Sequence, residues 1–226
     1  MTPPLSIVIP VLNESARMGR ALRALAPLRQ RGCELIVCDG GSTDGSRAEC
    51  VGLVDHFVTA AAGRARQMNT GAALAQGDVL VFLHVDTTLP ADAQTAIVQE
   101  MARGAAWGRF DVDIEGQARM LPVIAACMNL RSRWSGIATG DQAMFVRRSV
   151  FMAVGGFPEQ PLMEDIELSR RLRQHGHAPA CLRQRVRTSG RRWDERGVWR
   201  TIVLMWWLRW RYWRGTPAEA LAGRYR

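Results

Sequence analysis

Several acids stand where apolar runs end. Asn13-Glu14 follows Leu5-Ser6-Ile7-Val8-Ile9-Pro10-Val11, Asp39 follows Glu34-Leu35-Ile36-Val37-Cys38, and Asp86 closes Val79-Leu80-Val81-Phe82-Leu83-His84-Val85. Runs this short and apolar read as buried parallel strands, whose carboxyl ends are where open α/β sheets bind ligands. Acids gathered along one edge repel one another unless a cation or a hydrogen-bonding ligand separates them. A nucleotide–metal complex does so. One carboxylate accepts from ribose hydroxyls or the base, and another holds Mg2+ or Mn2+ against the pyrophosphate. Taken alone, Asp86 is either such a metal anchor or a carboxylate at a helix start. Further along, Glu164-Asp165 stands at the front of a predicted helix, where the helix dipole favours anions and keeps Asp165 ionised.

The elements that must position these acids alternate. A first strand over 5–11 leads to a helix that Asn13-Glu14-Ser15 can cap, with Met18, Leu22 and Leu25 inward. A second strand ends at Asp39, and Gly40-Gly41-Ser42-Thr43-Asp44-Gly45 turns with a helix-start signature. Short strands are predicted near 56–58 and over 79–86, with Pro90 stopping the latter, and helices over 64–75 and 91–103. Trp107 to Glu115 alternates as a half-exposed strand, and 118–135 reads as a mixed helix. A strand over 143–146, a short helix to 154 and a helix from 161 to 174 follow. Strand–helix–strand spacing of this kind implies βαβ units. Asp39-Gly40-Gly41-Ser42 is not GxGxxG, and no GxxxxGK[ST] loop occurs, which argues against a dinucleotide fold and a P-loop NTPase.

The net charge of +9 over 226 residues is unevenly placed. Residues 1–182 hold 18 Arg against 18 acids, and residues 183–226 hold 12 Arg against 3. All 30 basic residues are Arg. A basic tail suits anionic lipid or phosphate. No zinc spacing, helix-turn-helix or RNA-binding aromatic motif stands out, so no nucleic acid partner is expected. Five cysteines without CxxC spacing fit buried, reduced thiols in a cytoplasmic protein, and no signal peptide is visible before the first strand. The division expected is a body over 1–197 and an amphipathic helical tail over 198–226. Trp199, Ile202, Val203, Trp206, Trp210 and Trp213 share one face of that tail, and Met205, Leu208 and Tyr212 form a second stripe. Its uncharged run of eight residues, 201–208, is far short of the roughly 20 that span a bilayer. The tail is left open to packing on the body, lying peripherally at the inner face of a membrane, or meeting another subunit in an oligomer.

Several blocks in order resemble family 2 glycosyltransferases with a GT-A fold. Ser6-Ile7-Val8-Ile9-Pro10-Val11-Leu12-Asn13-Glu14 and Val37-Cys38-Asp39-Gly40-Gly41-Ser42-Thr43-Asp44-Gly45 look like the family's opening. Gln67-Met68-Asn69-Thr70-Gly71 and Phe82-Leu83-His84-Val85-Asp86 match the next two blocks. Gly155-Gly156-Phe157-Pro158-Glu159 and Met163-Glu164-Asp165-Ile166-Glu167-Leu168 match the acceptor-side block. Ser189-Gly190-Arg191-Arg192-Trp193 sits where relatives carry an Arg-Trp element near the acceptor. The FLHVD stretch and the Trp-rich tail look like a small bacterial subgroup, often labelled from gene context as associated with radical-SAM and selenium-domain genes or with arsenosugar synthesis.

The resemblance implies a mainly parallel twisted sheet flanked by helices and an inverting, metal-dependent transfer of a sugar. The donor would be a nucleotide-diphosphate sugar, UDP-linked before GDP-linked, and the acceptor a small molecule or a lipid-linked group. It implies nucleotide contacts from Pro10, Glu14 and Asp39, with Arg64 or Arg66 assisting. It implies Asp86 as the metal-binding acid, Asp165 as catalytic base, and Asp141, Glu164, Arg192 and Trp193 toward the acceptor. His84 stands where the family has the first Asp of its DxD motif. It is open to three uses: ligating the metal, contacting the nucleotide, or packing. The rival readings are a nucleotidyltransferase acting on a sugar phosphate and a membrane-docked, non-catalytic nucleotide-sugar binding module.

Overall fold

The computed structural model describes residues 5–225. The strands are Leu5–Val11 (β1), Glu34–Asp39 (β2), His56–Thr59 (β3), Val79–Phe82 (β4), Thr87–Thr88 (β5), Trp107–Glu115 (β6), Phe145–Arg147 (β7) and Ala180–Ser189 (β8). They form one sheet in the order β3-β2-β1-β4-β7-β6-β8-β5. The half from β3 to β4 is parallel throughout. Beyond it, β7 runs antiparallel to both β4 and β6, β8 runs parallel to β6, and β5 closes the far edge antiparallel to β8. This is the mixed α/β sheet of the GT-A fold.

The helices are Ser15–Gln30 (α1), Arg64–Leu74 (α2), Ala93–Ala102 (α3), Leu121–Ser135 (α4), Arg148–Ala153 (α5), Glu164–Gln174 (α6), Arg191–Arg196 (α7), Val198–Trp213 (α8) and Ala218–Tyr225 (α9). They cover both faces of the sheet, which is why β1, β2 and β4 are apolar at nearly every position. Leu5, Ile7, Ile9, Leu35 and Val81 face a core with α1, α3 and α4. Val8, Ile36, Leu80 and Phe82 face the other core, with Met68 of α2, Phe151 of α5 and Leu168 and Leu172 of α6. Gly71 lets α2 approach the sheet, since a Cβ there would lie 2.5 Å from a Val8 methyl and 2.6 Å from Cys38 Sγ.

Four expectations need correction. The strand predicted over 79–86 stops at Phe82. Leu83 still donates its N–H to the Val8 carbonyl, but residues 84–86 turn, closed by Thr87 N–H on the His84 carbonyl. Leu83 and Val85 are apolar because they are buried in the core outside the ladder. The helix-start signature after Asp39 begins no α-helix of its own, and only a 3-10 turn over Ala48–Cys50 follows. Instead Asp44 accepts from Ser15 N–H at 2.9 Å and Ser46 Oγ from Glu14 N–H at 3.1 Å, so this turn caps α1 from outside. The Ser46 hydroxyl, which donates to Asp44 at 2.6 Å, and the N–H groups of Ser15 and Ser46 hold the Asp44 carboxyl well below the usual carboxylate range, the hydroxyl most of all. Strand β8 was not anticipated, although Arg183, Arg185 and Arg187 alternate with inward Leu182, Val186 and Thr188. Of the cysteines, Cys33, Cys38 and Cys50 are buried but Cys127 is exposed.

Residues 198–225 pack back on the rest. Leu208 and Leu221 bury against Leu162 and Met163, just ahead of α6. Each such burial contributes about 1.5–3 kcal/mol. Tyr212 adds a hydrogen bond from Gln160 Nε2 at 3.2 Å.

Candidate active site

A cavity of about 310 Å³ opens at the carboxyl ends of β1 and β4. It gathers side chains from many elements. Pro10 comes from β1 and Glu14 from the turn after it. Arg64 is the first residue of α2, and His84 and Asp86 occupy the turn after β4. Asp141 lies in a 3-10 turn over Gly140–Gln142, and Glu164 and Asp165 form the first turn of α6. Arg192 and Trp193 come from α7.

Two predicted positions do not line this cavity. Asp39 is 6% exposed at the end of β2, and its carboxylate accepts from the N–H groups of Gly41 and Ser42 and from the Ser42 hydroxyl. It fixes the turn that follows. Arg66 points to the surface and pairs with Glu159 at 3.1 Å.

The wall around Asp165 is tightly built. Its Oδ2 accepts from Gly140 N–H at 2.8 Å and its Oδ1 from Ile166 N–H at 2.7 Å. Burial pushes its pKa up to about 6, the Glu164 carboxylate beside it acts in the same direction, and the two N–H groups and Arg64 resist. The dipole argument, which would keep this acid at an ordinary low pKa, is therefore outweighed by desolvation. Met163, just before α6, takes a left-handed φ of +65°, a strained choice for a non-glycine residue that sets the entry angle of the two acids. Glu164 is 4% exposed, and Arg64 Nη1 lies 3.5 Å from it.

His84 stands beside Asp141. Its Nδ1 lies 3.6 Å from Asp141 Oδ1. A Cβ on Gly140 would lie 2.5 Å from the imidazole Cε1, so Gly140 exists to let ring and backbone touch. Burial acts to raise the Asp141 pKa, and His84, Arg64 and Arg192 together hold it low. Glu14 pairs with Arg17 at 2.8 Å. Asp86 lines the cavity half-buried, and no hydrogen bond or ion pair of the described residues engages its carboxylate.

That open carboxylate bears on a metal. No three His, Cys, Asp or Glu side chains of the described residues converge into a metal cage. Mg2+ and Mn2+ held against a diphosphate need no such cage, because one or two carboxylates suffice when phosphate oxygens supply other ligands. Asp86 fits that requirement.

Some residues of the site had no sequence signal. Tyr225 of α9 closes one wall, its ring 3.8 Å from the Arg192 guanidinium, and burial raises its pKa. Thr201, Met205 and Arg209 of α8 complete that wall. Gln67 and Asn69 belong to a block that was recognised, but their part is structural. Gln67 Nε2 donates to the carbonyls of Val11 at 2.6 Å and Cys38 at 2.8 Å, tying the ends of β1 and β2. Asn69 exchanges both amide bonds with the Phe157 backbone.

Comparison with known proteins agrees with this architecture. The family model described as "Glycosyl transferase family 2" matches residues 6–157. The "Probable glycosyltransferase YdaM" of Bacillus subtilis is 27% identical over 201 residues, covering 77% of this chain and 48% of its own length. The beta-monoglucosyldiacylglycerol synthase of Synechocystis is 25% identical, covering 87% and 47%. The chain thus spans about half the length of the curated relatives it matches. Among solved structures, glucosyl-3-phosphoglycerate synthase from Mycobacterium tuberculosis, with Mn2+, UDP and glucosyl-3-phosphoglycerate, aligns with a TM-score of 0.64. The identity is 22%, over 86% of this chain and 75% of that one.

Proposed function

The chain belongs to glycosyl transferase family 2, and we propose that it moves a sugar, with inversion, from a nucleoside-diphosphate sugar to a hydroxyl of a small or lipid-linked acceptor. UDP is the favoured nucleotide and GDP the next. The observation that carries the reading is one cavity holding an unengaged carboxylate, Asp86, and a buried carboxylate with a pKa of about 6, Asp165.

In this reading Asp165 takes the proton from the acceptor hydroxyl as its oxygen bonds to the anomeric carbon. The bond from that carbon to the diphosphate oxygen breaks on the opposite side, and its electron pair leaves with the nucleoside diphosphate. One displacement inverts the centre and needs one base. A base with a pKa near 6 is mostly ionised at pH 7 and still basic enough to accept a proton. A divalent ion, when bound, stabilises charge on the departing diphosphate, and Asp86 would hold it. Pro10 and Glu14 would stand at the nucleoside end, Arg64 at the diphosphate, and Asp141, Arg192 and Trp193 at the acceptor side, while Asp39 would act only through the turn it fixes. His84, turned to Asp141, would orient that acid rather than ligate the ion.

The test is donor binding followed by turnover. Thermal shift with UDP- and GDP-sugars is expected to need Mn2+ or Mg2+ in wild type, and Asp86→Ala is expected to lose that metal-dependent shift. Asp165→Asn is expected to bind donor normally and to lose transfer by about 10²–10⁴-fold. Donor binding without hydrolysis or transfer by wild type would favour a non-catalytic binding module instead.

A further inference from the structure

Helix α8 presents two unlike faces. Thr201 and Met205 line the catalytic cavity, and Leu208 is fully buried. On the opposite side Trp199 is 70% exposed, Trp206 73% and Trp213 81%, with Val203 and Trp210 also exposed. At about 100° per residue these five fall within an arc of about 80° and a length of about 21 Å. A contiguous exposed aromatic stripe of that size marks an interaction surface. Arg200, Arg211 and Arg214 flank it and are exposed. Arg214 lies 5.3 Å over the Trp210 ring and Arg211 lies 5.8 Å over Trp207.

A groove of about 940 Å³ continues the stripe between α4, α6 and α8. Trp213 and the 83% exposed Trp134 stand at its walls with Arg131, Arg173 and Arg209. Glu167 is engaged by Arg170 and Arg171, and no carboxylate of the described residues pairs with the other three arginines. Two nitrogens of Arg131, Nε and Nη2, are buried without an acceptor.

We propose that this face docks on an anionic phospholipid bilayer, with the indoles in the interface, Arg200, Arg211 and Arg214 on lipid phosphates, and one headgroup phosphate seated in the arginine groove. Indoles settle at headgroup level, and guanidinium groups reach phosphates while their stems cover apolar surface. Charge decides against a second copy of the chain. An antiparallel two-fold pairing would set the arginine row against its own image, and in either pairing residues 183–226 offer only 3 acids to 12 Arg. Spanning is not required: no helix of the described residues is long and apolar enough to cross a membrane. The cavity then lies one helix thickness, about 10 Å, from the bilayer surface. Resting on the transfer reading above, this makes the acceptor a hydroxyl carried by a membrane lipid.

Vesicle co-sedimentation of the whole chain, without nucleotide sugar, tests the docking. Vesicles of one part phosphatidylglycerol to three parts phosphatidylcholine are expected to bind it, and pure phosphatidylcholine to bind at least about tenfold more weakly. Trp206→Ser/Trp210→Ser/Trp213→Ser should lower binding by at least about tenfold. Arg200→Gln/Arg211→Gln/Arg214→Gln should remove the anionic preference, a loss of about a hundredfold. Arg173→Gln should weaken binding to phosphatidylglycerol more than to phosphatidylcholine. All seven positions are outside the catalytic cavity, so each variant should keep the wild-type melting temperature and donor thermal shift. No binding to anionic vesicles by protein that binds donor would overturn the docking alone. A wild-type dimer that the Trp variant converts to monomer, with vesicle binding unchanged, would overturn it in favour of a second copy. Vesicle binding without donor binding would sink the transfer reading and leave the docking standing.

Discussion

At the scale of single residues, Asp165 makes a prediction whose sign can be worked out. Its folded pKa, about 6, lies above the ordinary aspartate value of 3.8, so the folded state holds this proton more tightly than the unfolded one. The stability it contributes is complete below about pH 4 and is lost as pH rises through about 6. Above that, the buried charge costs about 1–3 kcal/mol. Asp165→Asn should therefore raise the melting temperature at pH 7 and flatten its dependence between pH 4 and 6. Transfer should show the opposite sensitivity. In wild type, kcat/KM should fall about tenfold per pH unit below an apparent pKa near 6, since only the ionised form accepts a proton. An acid limb placed near 4, together with a less stable Asp165→Asn, would show that this carboxylate is not strained by burial. The same residue shows where local reasoning stops. Its place at a helix start was legible, but the dipole is a small effect beside desolvation, and desolvation depends on what packs around it.

At the scale of elements, Gly140 joins two parts of the site that no sequence pattern connects. Its N–H holds Asp165 and its bare Cα admits the His84 ring. Gly140→Ala must push the imidazole away or move the 3-10 turn, at about 1–3 kcal/mol. Gly223→Ala is the natural comparison, because a Cβ there meets nothing within 4 Å and sits inside α9. It should stabilise by about 0.5–1 kcal/mol. Thermal melts of the two variants should move in opposite directions, and Gly140→Ala should also lower kcat through Asp165. Most elements were legible because both sheet faces are covered, so β1, β2 and β4 read as continuous apolar runs. What was not legible is pairing. Apolarity reports burial and not hydrogen bonding, so the run ending at Asp86 overran the ladder by the turn that aims Asp86. The direction of β7 between β4 and β6 leaves no local trace. Strand β8 did leave one, an alternation of arginines, but its charge reads first as a basic tail.

At the scale of the whole molecule, the family match ends at 157, yet the cavity is finished by residues far beyond it. Helices α8 and α9 return across the front of α6, held by Leu208 and Leu221, and bring Tyr225 against Arg192. One buried nitrogen of Arg192, Nη1, has no hydrogen-bond partner, so the ring fixes a guanidinium whose donor remains available inside the cavity. On the proposed transfer reading, Tyr225 is a positioning residue for the acceptor side. A ring without the hydroxyl preserves the stack, so Tyr225→Phe should keep both KM values. Tyr225→Ala frees the guanidinium and opens the wall. It should raise the acceptor KM about tenfold, the loss of about 1.4 kcal/mol expected for one cation–π contact and its packing. Donor binding, set at the ends of β1 and β4, should change much less. Equal losses of donor and acceptor affinity in Tyr225→Ala would mean that α9 merely supports the fold. A selective loss restored by phenylalanine would place the acceptor's anchor on a segment that the family's common core does not contain.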